Sequence, residues 1–260
     1  MIIKNIIKVD QSAQFTLIWK AWYESKARFY ILLAGLVLII AYIILSGPRF
    51  IKSYRLQYPD DPLTYTEYVW QGVFNYYFQG LWVFSAIILG TGGILREKAR
   101  GFSDYTLGLP ISRKQIMATR FYVGVAESIF LGILPPCLIP LFSLLAGQSY
   151  PLIQAFEFGF LLVSAGILFH ALSFLLSSLL SGEFAAFLLG FSVASISFFA
   201  FKARSIHRWS IFDLMNGANS IDPSTHLIVR ALPWPGIVIC VIIAIVFFEL
   251  SIQAIKRRNF

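Results

Sequence analysis

The sequence predicts an all-α integral membrane protein with six transmembrane helices, and three observations lead there. Hydrophobic residues make up 58% of the 260 and charged residues only 13%, where soluble domains carry about a quarter charged. The apolar residues gather in windows long enough to span a bilayer, which takes about 20 helical residues. Between the windows, Lys and Arg fall with a bias that orients the chain.

The six windows are residues 29–47, 70–95, 119–146, 152–181, 184–201 and 236–255, the fifth being the shortest. About 28 polar and amphipathic residues precede the first, and no small-residue cleavage site follows it, which argues against a signal peptide. With the N-terminus inside, fourteen basic residues fall on the inner segments and seven on the outer ones. Both termini are therefore expected in the cytoplasm. The net charge of +8 is used by this topology and needs no nucleic acid. Cys137 and Cys240 sit inside apolar runs, as small hydrophobes do, with no disulfide or metal framework.

The chain reads as one transmembrane domain over 1–260. Its cytoplasmic or interfacial N-terminus is 1–28, its cytoplasmic loop 96–118 and its longest outer loop 202–235. Before the first span, Phe15, Ile18, Trp19 and Trp22 recur at helical spacing with Lys20, Glu24 and Lys26 on other faces. That pattern predicts an amphipathic elbow over 11–28 lying in the interface, the alternative being a plain extension of the first helix. Outside, 48–69 reads as a polar loop containing "YPDDP". In 202–235, Trp209, Phe212, Leu214 and Met215 are apolar enough to dip back as a short re-entrant helix, and "PWP" at 233–235 marks entry to the last span.

Residues 95–116, "LREKARGFSDYTLGLPISRKQI", form the most charged run in the chain. Ser103 is a helix-capping residue, Gly108 suits the left-handed position that ends a helix, and Pro110 follows it. Ser112 with Gln115 spells a capping box for the third span. A helix this short is stable only when docked, whether on lipid, on its own bundle or on a partner.

Polar residues within the spans are the other candidates. Glu127 and Glu249 lie about seven residues in from Arg120 and Lys256, so they are expected at similar depth, sharing one polar site or pairing with Arg120 and the C-terminal basic cluster. Gln71, Asn75 and Gln79 repeat every four residues, as a polar path or as helix-helix glue. His170 with Ser173, Ser177 and Ser181 reads as a packing seam in preference to a proton relay. Gly90, Gly92 and Gly93 suit close packing or a hinge. Glu157 opens the fourth span near the outer surface.

"REKARGFSDYTLGLPISRKQI" resembles the signature loop of type-2 permeases of ATP-binding-cassette (ABC) transporters, in which Arg-Glu-Lys-x-x-Gly precedes "LP(I/V)S(R)" and the third span. Where that family often has a Thr or Ser-Leu-Glu type run after the glycine, this chain has "FSDYTL". The resemblance implies an N-terminal elbow helix, six spans, a re-entrant segment before the sixth and a basic C-terminus, here "IKRRNF". It further implies that 96–116 carries a coupling helix seated on a separate ATP-binding subunit. Glu97, Gly101 and the 102–109 segment, with Phe102, Ser103, Asp104, Tyr105, Leu107 and Leu109, would form the contact, flanked by Arg96, Lys98 and Arg100. ATP and magnesium would sit on that partner, and a second permease copy, like or unlike, would complete the transporter in a prokaryotic cytoplasmic membrane.

No glycine in the chain is followed by lysine, so a phosphate-binding Gly-x-x-x-x-Gly-Lys-Ser/Thr loop is excluded. There is also no His-Glu-x-x-His, Gly-x-Ser-x-Gly or Cys-x-x-Cys motif. The expected function is a non-enzymatic export subunit in contact with membrane lipid. Two other classes are a mechanical or scaffold permease acting on an accessory protein at the outer face, and an intramembrane enzyme built on Glu127, Glu249 and His170.

Overall fold

A computed structural model describes residues 2–60, 62–91, 112–180, 182–202, 210–229 and 231–257. Within them the chain is helical, with one isolated antiparallel bridge between Ile221 and Ile228. Five helical segments are long and apolar enough to cross a membrane: Gln14–Gln57, Tyr65–Gly90, Lys114–Leu145, Leu152–Leu179 and Trp234–Lys256. The protein is thus a multi-pass membrane protein. The fifth sequence window also forms a helix, Glu183–Lys202, whose apolar part Phe184–Ala200 is shorter than the other five.

The first helix, α1 (Ile2–Gln57), departs from expectation at both ends. No break separates residues 11–28 from the span, so the plain extension is found and not an elbow. The first 34 residues contain no glycine or proline, and the segment has a partner to run along. Glu24 receives Arg120 Nη2 at 2.8 Å, Lys20 lies 3.8 Å from Glu24, and Phe29 packs on Phe130 with ring centroids 5.9 Å apart. At the other end the helix continues through Pro48 to Gln57, which shortens the expected 48–69 loop. Proline removes one backbone donor and crowds the preceding turn. There the Ile43 carbonyl accepts from Tyr68 Oη at 2.9 Å and from Ser46 Oγ at 3.0 Å.

The second span is composite. Thr64 caps α2 (Tyr65–Val69) by accepting from Glu67 N; a π-helical stretch follows at Trp70–Tyr77, and α3 (Phe78–Gly90) completes it. The third span begins at α4 (Arg113–Cys137), opened by the expected capping box: Gln115 N donates to Ser112 Oγ at 3.2 Å and Ser112 N donates to Gln115 Oε1 at 3.0 Å. Pro135 and Pro136 interrupt it before α5 (Ile139–Leu145).

The fourth span, α6 (Leu152–Leu179), is the hub. Its apolar window is 67% buried against 28% for α1, and it packs against α3, α4, α7 (Glu183–Lys202), α8 (Ile211–Met215) and α9 (Trp234–Lys256). Between lipid-facing helices apolar burial gives little drive, so close packing and buried hydrogen bonds carry association. A Cβ on Gly90 would stand 2.6 Å from the His170 carbonyl oxygen, and one on Gly159 would stand 2.8 Å from that of Gly132. These contacts need glycine, and at Gly90 close packing is the use that is found.

Candidate functional site

The π-helical stretch organises a polar network between the second span and the segment after α7. Trp70 Nε1 donates to Asn216 O at 2.9 Å, and Asn216 Nδ2 donates to Asn75 Oδ1 at 2.7 Å. Trp70 and Asn75 are five residues apart, the spacing of a π-helical hydrogen bond, so both reach the same residue from one face. Gln79 Nε2 then donates to Phe212 O at 2.6 Å. Asn75 and Gln79 are therefore glue for the segment after α7. Gln71 stands apart from them, donating to Glu67 Oε1 at 3.0 Å.

That segment holds the short helix expected within 202–235. Ser210 caps α8 by accepting from Asp213 N at 3.2 Å, and Phe212 and Met215 are buried. Gly217, at φ +71°, ends it in the left-handed region beside Phe158 and Leu161 of α6. Further on, Gln154 of α6 clamps Ile228, donating to its carbonyl at 3.1 Å and accepting from its N–H at 2.7 Å. Residues 203–209, with Trp209, lie outside the described residues.

Glu127 and Glu249 are not brought together. Glu127 of α4 is buried, Ser25 of α1 donates to its Oε1, and its Oε2 has no hydrogen-bond partner among the described residues. Arg28 lines the same small cavity and donates to Ile88 O at 3.3 Å. Arg120, the expected partner, is engaged by Glu24 instead. Glu249 is exposed on α9. One turn decides this: α1 approaches α4 on the face bearing Glu127, whereas Glu249 falls on the outward face of its helix.

His170 lies in a packing seam. It is fully buried, with Nδ1 3.3 Å from both Ala86 O and Ser128 Oγ. A carbonyl only accepts, so the proton sits on Nδ1. Ser173 Oγ donates to Ile87 O at 2.7 Å and Ser177 Oγ to Gly90 O at 3.5 Å, extending the seam along α6. Ser181, Gly92 and Gly93 lie outside the described residues. So does the whole expected coupling contact: Arg96, Glu97, Lys98, Arg100, Gly101, Phe102, Ser103, Asp104, Tyr105, Leu107 and Leu109. Among the described residues no group of three His, Cys, Asp or Glu side chains could hold a metal, and both cysteines are free.

Two cavities flank the π-helical stretch and share Tyr76 and Tyr77 in their walls. One, of about 630 Å³, opens between α1 and the second span and is lined by Tyr42, Phe50, Tyr54, Tyr68 and Glu67. The other, of about 570 Å³, lies between α3 and α7 and is lined by Phe84, Phe191, Phe198, Phe199 and Gln79. Sequence reasoning missed the first set. Its signals are the four-residue spacing of Phe50, Tyr54 and Tyr58, and the Thr64-x-x-Glu67 cap pattern, which breaks the supposed polar loop into two helix ends. Comparison of the chain with protein-family models, with curated proteins and with solved structures gives no match.

Proposed function

We propose that the chain is the membrane-spanning subunit of an ATP-binding-cassette transporter of the type-2 permease class. It works as an exporter with a separate ATP-binding subunit and a second permease copy. The observation that carries this reading is the run "REKARGFSDYTLGLPISRKQI", set between the end of α3 and the capping box of α4. The multi-pass helical architecture and the lack of any Gly-Lys pair in the sequence support it, because the nucleotide site must then belong to another chain.

In this mechanism ATP-driven closure of the partner subunits pushes on the 96–116 loops. Glu97, Gly101 and 102–109 make the contact, with Arg96, Lys98 and Arg100 beside them. The force passes into α3 and α4, whose seams with α6 are held by buried hydrogen bonds and glycine contacts, so helices move as packed units between inward-open and outward-open arrangements. The shortest apolar helix, α7, makes the sixth crossing, both termini are cytoplasmic, and α8 is the re-entrant element on the outer side. Asn75 and Gln79 tie that element to the second span.

The test is affinity purification of the tagged chain from its native membrane in mild detergent, with mass spectrometry, beside a Glu97→Ala, Phe102→Ala variant. A P-loop ATPase recovered with the wild type and depleted by the variant is expected. Recovery of no ATPase under several crosslinking conditions overturns the reading and leaves the loop as a basic membrane-surface helix.

A further inference from the structure

We propose that the cavity between α1 and the π-helical stretch binds the quaternary ammonium group of an amphiphile, whose apolar chain extends past Tyr76 and Tyr77 into the neighbouring cavity. Its wall is unusually aromatic for its charge. Tyr42, Phe50, Tyr54, Tyr68, Tyr76 and Tyr77 line it, and among the described residues Glu67 is the one formally charged side chain in the wall. Among the described residues no Lys or Arg lines it, although Arg49, Lys52 and Arg55 stand on the same part of α1. Aromatic faces attract cations through the ring quadrupole, and cages of such rings suit quaternary ammonium groups, which cannot donate hydrogen bonds.

Glu67 is placed for this use. Thr64-x-x-Glu67 has the spacing of a capping box, but only half of the box forms: Thr64 accepts from Glu67 N at 3.2 Å while the carboxylate turns elsewhere. Its Oε1 accepts from Gln71 Nε2 at 3.0 Å and lies 3.8 Å from His226 Nε2. Among the described residues no donor bonds Oε2. A phosphate or carboxylate ligand would meet a like charge here, whereas a cation meets the opposite one.

The two cavities complement each other. The second is walled mainly by phenylalanine, and its polar side chain Gln79 is committed to the Phe212 carbonyl. Tyr76 and Tyr77, 53% and 64% exposed, border both and are reachable from the side of the bundle. A cationic head and an apolar tail therefore have adjoining places of matching character. As a cargo site this rests on the permease reading; as a binding site it does not, so it is measured on the purified chain with no ATPase present.

The experiment is native mass spectrometry of the full chain in dodecyl maltoside with added dodecyltrimethylammonium, dodecyl phosphate or dodecanol. Retention of dodecyltrimethylammonium alone is expected, weakened about tenfold or more by Glu67→Gln. Tyr76→Leu with Tyr77→Leu should weaken it about threefold to thirtyfold, while Tyr76→Phe with Tyr77→Phe, which keeps the rings, should retain it. Circular dichroism and gel filtration establish that each variant is folded. Equal retention of dodecanol, or unchanged affinity in folded Glu67→Gln, overturns the proposal. Competition by diheptanoylphosphatidylcholine assigns the site to a lipid headgroup, and its failure to compete assigns it to a free cationic amphiphile.

Discussion

Gly166→Ala isolates the packing of the hub helix. A Cβ on Gly166 would run into the six-membered ring of Trp82 and stand 2.8 Å from Met215 Cε. The methionine end can yield, but the indole cannot swing away. It is fully buried, and its Nε1 donates to Ser128 O at 3.0 Å. Overpacking a fixed core costs about 1–3 kcal/mol, with rigid sites at the upper end. Alanine returns about 0.5–1 kcal/mol of helix propensity, so the expected net loss is about 2 kcal/mol. Gly35→Ala is the control of opposite sign: nothing lies within 4 Å of its added methyl, so a gain of about 0.5–1 kcal/mol is expected. Reversible unfolding in dodecyl maltoside with increasing dodecyl sulfate, followed by circular dichroism, measures both. Adding Trp82→Phe to Gly166→Ala should recover about 1 kcal/mol relative to the sum of the single changes. A Gly166→Ala protein as stable as the wild type would refute the reasoning, because the seam would then have slack that the contacts deny.

Two further outcomes follow from other parts of the fold. Asn75→Ala and Asn216→Ala should show a coupling of about 0.6 kcal/mol in a double-mutant cycle, with faster amide exchange across 211–220 by hydrogen-exchange mass spectrometry; unchanged exchange would remove Asn75 as the anchor of α8. In a background with Cys137→Ala and Cys240→Ala, an impermeant maleimide should label Asp60→Cys from outside and Lys256→Cys only after permeabilisation. Labelling of both from outside would reduce the crossings to five and leave α7 out of the count.

The spans were legible because hydropathy depends on local composition, and the Ser112–Gln115 box because its bonds close within four residues. Likewise "PWP" sits where α9 begins, and α8 forms in the stretch of Phe212, Leu214 and Met215. What escaped depends on partners distant in the sequence. Nothing in "WQGVFNYY" distinguishes a π from an α stretch until Asn216, far along the chain, is seen to take both Trp70 and Asn75. Helical spacing put Glu127 and Glu249 at one depth, but depth does not fix the face, and the face decides whether the carboxylate meets Ser25 or the outside of the bundle. The amphipathic pattern over 11–28 suits a membrane surface and the side of α4 equally well.

The uninterrupted run of α1 has a geometric consequence. Between Arg28 and Arg49 stand twenty residues without a charge, about 30 Å of helix, which matches the thickness of an average hydrocarbon core. Such a segment has no spare length to lean over, as longer apolar helices do when they exceed the bilayer. In a thicker membrane the cations at its ends, Arg28 and Arg49, are drawn toward hydrocarbon, and Arg28 is fastened to the Ile88 carbonyl beside Glu127. The helix thus works as a gauge of its surroundings, and its lower mark is set at the junction of α1, α3 and α4.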